Sequence, residues 1–383
     1  MIPKKLRAIG LALVLGTAAA AAVGSLSPAQ AAVRSSVGKP LQAAQAAAAA
    51  GNYTGAMAKI REAESVGGLT PEEQTVITKM KQYIEAKSGG SVGVSDAIGA
   101  QAKFDADYRA GRYRAAIDDA ELLRKYGALN GTNIEVIAQA YYQLGEFAEC
   151  ARFARSNGGG EGMLRLQMTC ASKSGDDAAM RAALEQLVAS TGKPEYWGHL
   201  LQMAERAKAL SDHQTLDIYR IKFLTGSMMG PSAAADYETL ATLAIQFGFD
   251  SEAQNVIQKG MASKLLSGDR DNRLLSRAKQ DLATDLANLG RTVQAANADK
   301  SGDSLVKLGE DYCGMGRYKD AVDAIQAGIK KGTSDPDNAQ IRLGQALYGA
   351  GQKDAALKAF AKATKTPNGE MTAHLWALYV RGH

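Results

Sequence analysis

Four histidines and three cysteines are the residues of this chain whose spacing would most clearly mark a metal site. They are His199, His213, His374 and His383, together with Cys150, Cys170 and Cys313. Metal sites are typically marked by two histidines four residues apart on a helix or by closely spaced cysteine pairs. Neither spacing occurs here, and no phosphate-binding loop or dinucleotide fingerprint stands between a strand and a helix. The sequence therefore predicts no metal and no cofactor.

A serine nucleophile is the other chemistry to consider. The segment Gly302-Asp303-Ser304-Leu305 resembles the nucleophile block of one family of lipases and esterases. That chemistry requires a base beside the serine and hydrogen-bond donors for the oxyanion. The family's Asp-x-x-His block is missing, because Met371 stands where the aspartate would precede His374. We therefore predict that the protein is not an enzyme, and we interpret Asp303 or Ser304 as a helix N-cap.

The stretch from Leu305 to Pro367 contains one pattern twice. The first copy is Leu308-Gly309-x-x-Tyr312 with Ala321-x-x-x-Ile325, and the second is Leu343-Gly344-x-x-Leu347 with Ala356-x-x-x-Phe360. The copies are 35 residues apart. The pattern resembles the tetratricopeptide repeat, a helix-turn-helix unit of about 34 residues.

The spacing within each copy has a physical cause. Leu308, Gly309 and Tyr312 share one face of a first helix, and Ala321 and Ile325 share one face of a second. Small residues at Gly309 and Ala321 let the two backbones approach closely. One such hairpin cannot bury its apolar stripe alone, so it needs neighbours. The resemblance implies an all-α, right-handed α-solenoid of stacked antiparallel helix hairpins.

Other parts of the chain repeat the pattern less fully. Gly111, Tyr113 and Ala116 recur 34 residues later as Gly145, Phe147 and Cys150, and Gly248 and Gly316 are two such periods apart. Leu282, Leu286 and Gly290 predict a shorter hairpin, out of phase with the rest. Thr70, Pro71 and Glu73 predict a helix start with a capping box. Residues 371–380 predict a last helix that caps the open end of the stack; the alternative is a docking helix for another molecule.

The N-terminus is typical of a secretory signal peptide. Its charged region is Lys4, Lys5 and Arg7, its apolar region is Ile9 to Val23, and its cleavage site is Ala29-Gln30-Ala31. We expect a mature chain that starts near Ala32 and lies in a bacterial periplasm; the alternative is an uncleaved anchor. No later segment reaches the roughly 18 apolar residues of a membrane span.

The predicted domains follow from these features. Residues 1–31 form the signal peptide, 32–225 the N-terminal helical repeats, and 226–383 the C-terminal repeats with the capping helix. A hinge is expected near residues 226–231, where glycine and proline cluster.

The charge of the chain is close to balanced. The formal net charge is +5, from 45 basic and 40 acidic residues. Removal of the three basic residues of the signal leaves 5 − 3 = +2. Basic and acidic residues are interspersed, so a nucleic-acid partner is not predicted.

The repeat resemblance also bears on the cysteines. It places Cys150 on the second helix of one repeat and Cys170 on the first helix of the next. Because such helices are neighbours, a disulfide between Cys150 and Cys170 is geometrically feasible. The alternative is three buried apolar thiols.

The resemblance further implies a concave groove lined by first helices, which in that family takes up peptides or proteins. The positions that it assigns to the groove are Glu135, Gln139, Tyr142, Gln143, Glu238, Thr242, Gln246, Glu310, Asn338, Ile341, Gln345 and Tyr348. We expect a non-catalytic periplasmic scaffold that binds a protein or peptide partner. The alternatives are an accessory factor in cell-envelope assembly, polysaccharide export or secretion that docks to a membrane complex, or a groove face of no special affinity. The oligomeric state stays open.

Overall fold

The structure, a computed structural model, describes residues 33–88 and 96–383. Within those ranges every long element is an α-helix and no strand is present, which confirms the predicted all-α class. The helices are α1 (Ser35–Ala49), α2 (Tyr53–Glu64), α3 (Pro71–Lys87), α4 (Ala97–Arg109), α5 (Tyr113–Asp118), α6 (Ala120–Lys125), α7 (Gly131–Gln143), α8 (Phe147–Asn157), α9 (Glu161–Ser174), α10 (Asp177–Thr191), α11 (Pro194–Glu205), α12 (Asp212–Leu224), α13 (Ala233–Gln246), α14 (Asp250–Ala262), α15 (Asp269–Ala298), α16 (Asp303–Gly314), α17 (Tyr318–Lys331), α18 (Pro336–Gly349), α19 (Lys353–Phe360) and α20 (Pro367–Gly382). The predicted signal peptide lies outside the described residues.

The chain divides into two compact units between Cys150 and Ala151, here called unit 1 and unit 2. The domain boundary predicted at residues 225/226 falls inside unit 2. The segment around it packs through Met228, which is buried in a cluster with Tyr237 and Leu266. A hinge at this segment stays a prediction.

In unit 1 the start of α3 is the predicted capping box. The Thr70 backbone N–H donates to Glu73 Oε2 at 3.0 Å, and the Glu73 N–H donates to Thr70 Oγ1 at 3.2 Å. Glu73 also accepts three hydrogen bonds from the side chain of Arg34, at 3.0, 3.2 and 2.7 Å. The carboxylate therefore fastens the chain before α1 to the N-terminus of α3, which the local sequence pattern did not indicate.

In unit 2 the close approach of paired helices depends on glycine. A Cβ atom built on Gly309 of α16 would lie 2.3 Å from Cγ1 of Ile325 on α17, and one on Gly344 of α18 would lie 2.4 Å from the Phe360 ring of α19. Real side chains do not tolerate such distances, so only glycine permits this helix spacing. The structural role predicted for Gly309 is confirmed, and Gly344 has the same role.

The predicted hairpin around Leu282, Leu286 and Gly290 is wrong. These residues lie in α15, one continuous helix of 30 residues. Glycine in an exposed helix costs about 1 kcal/mol relative to alanine, which weakens the helix without ending it. The N-terminal half of α15 buries Ala278 in one apolar cluster and its end buries Ala296 in another. The middle bridges the two clusters, and Leu286 there is 51% exposed.

The last helix occurs where it was predicted, but it does more than cover an open end. α20 packs against α18 and α19 and also against α10 and α12. The Tyr379 ring meets the edge of Trp197 at 6.4 Å. Asn368 Nδ2 donates to the carbonyls of Lys208 and Ala209 at 3.0 and 3.1 Å. The C-terminal helix therefore joins the last hairpins of unit 2 to an earlier part of that unit.

No helix among residues 33–88 and 96–383 is both long and apolar enough to cross a membrane.

Candidate functional site

The groove positions predicted in unit 1 form a polar stripe on α7. Glu135, Gln139 and Gln143 are spaced by four residues and therefore share one face. Glu135 and Gln143 are exposed, whereas Gln139 and Tyr142 are half-buried. Tyr108 Oη donates to Gln139 Oε1 at 3.2 Å, which fixes the middle of the stripe against α4. This surface, the α7 stripe, is open to solvent at both ends.

A second polar stripe lies on α13 in unit 2. Glu238, Thr242 and Gln246 are again spaced by four residues; Thr242 and Gln246 are exposed and Glu238 is half-buried. Arg270 pairs with Glu238 at 2.8 Å, and Gln246 Nε2 donates to Asp212 Oδ2 at 3.1 Å. Neighbouring helices therefore hold both ends of this α13 stripe in place, and Thr242 between them stays accessible.

Polar contacts between helices recur with the period of the repeat. They join residues on different helices that are 31 to 35 positions apart in sequence. Examples are Tyr108 with Gln139, Glu161 with Tyr196, Arg220 with Glu252, and Asp212 with Gln246. The repeat predicted from residue types is thus present in the side-chain contacts of each unit.

The predicted groove positions on α16 and α18 lie inside unit 2. Glu310 is 7% exposed and Ile341 is 2% exposed. Asn338, Gln345 and Tyr348 are half-buried, and the Tyr348 ring meets Tyr379 of α20 edge-on at 5.8 Å. Glu310 and Ile341 therefore lie in the interior of unit 2, whereas Asn338, Gln345 and Tyr348 stay partly accessible.

At the centre of this interior Arg342 of α18 pairs with Asp217 of α12. Its Nη1 and Nη2 atoms donate to the two carboxylate oxygens at 2.7 and 2.8 Å. Gln345 Nε2 adds a third hydrogen bond to Asp217 at 2.7 Å. Among the predicted groove residues, Gln345 is therefore bonded to a helix of the chain itself, since α12 supplies the carboxylate.

Two further carboxylates complete the cluster. Arg220 binds Glu252 through hydrogen bonds of 2.8 and 2.6 Å and lies 3.6 Å from Asp217. Arg342 Nε lies 2.6 Å from Glu310 Oε1, but its hydrogen bond goes to Asn338 Oδ1, at 3.0 Å. Glu310 Oε1 therefore accepts no hydrogen bond from a described residue. Two guanidinium groups thus face three carboxylates, an excess of one negative charge.

The surroundings separate the pKa values of the two most buried carboxyls. Burial raises the pKa of Glu310, and the attraction of Arg342 and Arg220 does not reverse it. Burial also acts on Asp217, but the charges of Arg342 and Arg220 and two side-chain hydrogen bonds outweigh it and lower its pKa. Of these two carboxyls, Glu310 therefore takes up a proton more readily than Asp217. A proton on Glu310 would also balance the charges of the two guanidinium groups and three carboxylates.

Sequence reasoning missed Asp217, Arg220 and Arg342. Asp217 and Arg342 are 125 residues apart, so no repeat period connects them. One signal was present: Arg342 lies four residues after Asn338, on the face of α18 that the repeat assigns to the groove.

The segment considered for nucleophilic chemistry is a helix start. Gly302, not Asp303 or Ser304, occupies the N-cap, and no side chain caps α16. The Ser304 hydroxyl donates to Asp299 rather than to a histidine. Asp303 accepts a hydrogen bond from the Ser334 backbone at 2.9 Å. The N-cap interpretation was therefore wrong, because both side chains bond to neighbouring loops.

The three cysteines differ in state. Cys313 is a free thiol, and burial raises its pKa to about 12. Cys150 and Cys170 are buried and in the disulfide-bonded form. Cys150 ends unit 1 and Cys170 belongs to unit 2; their pairing with each other stays a prediction.

Comparisons with known proteins give similarity of fold only. No family model and no curated protein matches the chain. Among solved structures it is similar to the TPR2AB domain of yeast Sti1 in complex with an Hsp90 peptide, at 12% identity and a TM-score of 0.24 over 75% of this chain and 98% of that one. It is also similar to the TPR domain of P58(IPK), at 13% identity and a TM-score of 0.26 over 90% of this chain and 98% of that one.

A third similar structure is the pentatricopeptide repeat protein PPR10 from maize, at 14% identity and a TM-score of 0.27 over 90% of this chain and 62% of that one. All three are helical repeat proteins, as the tetratricopeptide resemblance implied. With TM-scores below 0.5, these similarities do not bear on what the chain binds.

Proposed function

We propose that the protein is a non-catalytic scaffold that binds a protein or peptide partner through its exposed helix stripes. The α13 stripe is the observation that carries this proposal. It presents a carboxylate, a hydroxyl and an amide in one line on a face whose opposite side, with Leu240 and Ala244, is buried. Such groups donate hydrogen bonds to, and accept hydrogen bonds from, the backbone of an extended chain.

The α13 stripe is also pre-organised. Glu238 and Gln246 are held by Arg270 and Asp212, so ordering them on binding costs little further side-chain entropy. The α7 stripe in unit 1 offers the same chemistry through Glu135 and Gln143. The predicted positions on α16 and α18 are not part of the proposed surface, because Glu310 and Ile341 are buried and Gln345 is bonded to Asp217 of α12.

The proposal is tested by replacing the three side chains of the α13 stripe while the fold is kept. We expect the triple variant E238A/T242A/Q246A to lose a partner that co-purifies with the natural chain, while its melting temperature stays within a few degrees. The control is the triple variant D269A/R273A/R277A, which removes exposed side chains from α15. Equal recovery of the partner by both variants would exclude the α13 stripe.

We further propose that the protein is exported to a bacterial periplasm. Support comes from the basic, apolar and Ala-x-Ala regions of residues 1–31. N-terminal sequencing of the chain from fractionated cells should begin near Ala32, and an intact Met1 would contradict export with cleavage. Cross-linking in cells would identify the proteins that contact the chain. If they belong to one envelope-assembly or secretion machine, the accessory role is favoured over a general scaffold.

A further inference from the structure

A cavity of about 470 Å³ lies in unit 2, where α20 meets α10, α11 and α19. Its volume is within the range of about 300–1,000 Å³ that is usual for small-ligand pockets. None of the twelve predicted groove residues lines it. It is therefore separate from the α13 stripe of the same unit.

The floor of the cavity is apolar. It includes Leu200 and Ala204 of α11, Leu357 and Phe360 of α19, and Leu375 of α20. These side chains carry no hydrogen-bond donor or acceptor. A peptide backbone lying on them would leave amides unsatisfied, which costs roughly 1–3 kcal/mol per group. An unbranched hydrocarbon chain has no such penalty.

Charged residues surround this floor in a definite arrangement. His374 Nε2 lies 3.2 Å from Glu185 Oε1, so these two groups neutralise each other once His374 is protonated. Arg181 and Arg381 also line the cavity. The hydrogen bond to Glu185 raises the pKa of His374, and both arginines lie close enough for their charges to lower it by a smaller amount. Neither guanidinium forms an ion pair with another described residue. Glu370 stands exposed in the first turn of α20, eleven residues before Arg381, which is about 16 Å along the helix axis.

We propose that this cavity binds a medium-chain acyl carboxylate, with its head at Arg381 and Arg181 and its chain along the apolar floor. Arginine is the side chain best suited to a carboxylate, because its planar N–H groups match the two oxygens. Glu370 lies at the far end of α20 from Arg381, so it repels the head group from that end and sets the orientation. This site goes beyond the proposed scaffold function and does not depend on it.

Calorimetric titration of the full chain with decanoate tests the proposal. We expect one saturable site for decanoate, at least about tenfold weaker binding of decyltrimethylammonium, which reverses the head-group charge, and weaker binding of hexanoate, which buries fewer methylenes. Equal binding of the cationic probe would overturn the assignment of the two arginines. Tighter binding of a short apolar peptide with a free carboxylate would overturn the acyl chain as the occupant.

Variants locate the site. The double variant R181M/R381M should weaken decanoate binding at least about tenfold, because it removes both charge-assisted contacts. Both arginines are exposed, so the fold should persist. Ala361→Phe, at an exposed lining position, should also weaken binding by filling the cavity. Arg277→Met on α15 should leave it unchanged. Full decanoate binding by R181M/R381M, or no saturable binding by the natural chain, would overturn the proposal.

Discussion

Arg342 and Asp217 form a buried bidentate ion pair between α18 and α12. Each side chain is 1% exposed, and the two hydrogen bonds measure 2.7 and 2.8 Å. The pair links the last hairpins of unit 2 to a helix 125 residues earlier. Together with α20, the pair holds the last hairpins of unit 2 against earlier helices of the same unit. Each of the two buried charges depends on the other for its ion pair.

Removal of Arg342 should therefore destabilise the protein strongly. Arg342→Met leaves Asp217 buried without its main partner, and breaking a buried pair in this way costs about 3–5 kcal/mol. Urea unfolding measures the loss. Arg277→Met, which breaks the exposed pair with Asp281, is the control, and it should change stability by less than about 1 kcal/mol. Similar losses in the two variants would show that the Arg342 pair does not hold unit 2 together.

Two glycine substitutions should act in opposite directions. Gly309→Ala places a Cβ atom 2.3 Å from Ile325, and such overpacking costs about 1–3 kcal/mol. Gly290→Ala in α15 meets no atom within 4 Å and should stabilise the helix by about 0.5–1 kcal/mol. Thermal unfolding of both variants provides the comparison. A Gly309→Ala variant as stable as the natural chain would contradict the tight spacing of α16 and α17.

The stability of unit 2 should respond to the ionisation of Asp250. Burial and the nearby charges of Asp281 and Asp285 raise its pKa to about 6. A folded-state pKa above the unfolded value of about 3.9 means that the contribution of Asp250 to stability falls as pH rises from about 4 to 6. Asp250→Asn has no charge to bury, so above pH 6 it should be more stable than the natural chain.

Chemical unfolding at pH 4 and pH 7.5 distinguishes the outcomes for Asp250. The difference between the natural chain and Asp250→Asn should shift in favour of the variant at the higher pH. A difference that is the same at both pH values would contradict the raised pKa.

Glu73 in unit 1 should show the opposite pH dependence. Hydrogen bonds from the Arg34 side chain, and then from the Thr70 and Arg34 backbone, lower its pKa to about 2. Its contribution to stability is therefore present above the unfolded pKa of about 4.3 and disappears as pH falls toward 2. The advantage of the natural chain over Glu73→Gln should shrink over that interval, as followed by circular dichroism. The matched control is Glu72→Gln at the exposed neighbouring position, and an equal change in both variants would contradict the role of the hydrogen bonds to Glu73.

The cysteines should give one free thiol per chain. Thiol titration of the unreduced, denatured protein should detect Cys313 alone, and the native protein should react slowly because burial raises the Cys313 pKa to about 12. If Cys150 is paired with Cys170 in the same chain, non-reducing electrophoresis shows a monomer. Three reactive thiols, or a dimer that reduction dissociates, would contradict that pairing.

Local features were predictable from the sequence because their causes are local. The capping box at Thr70 and Glu73 and the glycine at the α16–α17 contact each depend on residues within about one repeat. Gly290 was misread because glycine often ends a helix, yet the leucines around it continue the helical spacing through α15.

The interior position of Glu310 and Ile341 could not be read from the repeat. Residue types assigned them to a concave face but could not show that α12 and α20 cover it. That closure depends on Asp217 and Arg342, far apart in sequence, and on aromatic packing of α20 against α11. Long-range pairing of this kind leaves no periodic signal.

The scaffold proposal is tested most directly by a photoreactive amino acid placed at Thr242, in cells that make the protein naturally. The account predicts a discrete cross-linked polypeptide from Thr242, at the centre of the α13 stripe, and none from the exposed control position Gln186 on α10. The product should also decrease when Glu238 and Gln246 are replaced by alanine. No product from Thr242, or the same product from Gln186, would contradict the assignment of the α13 stripe as a partner-binding surface.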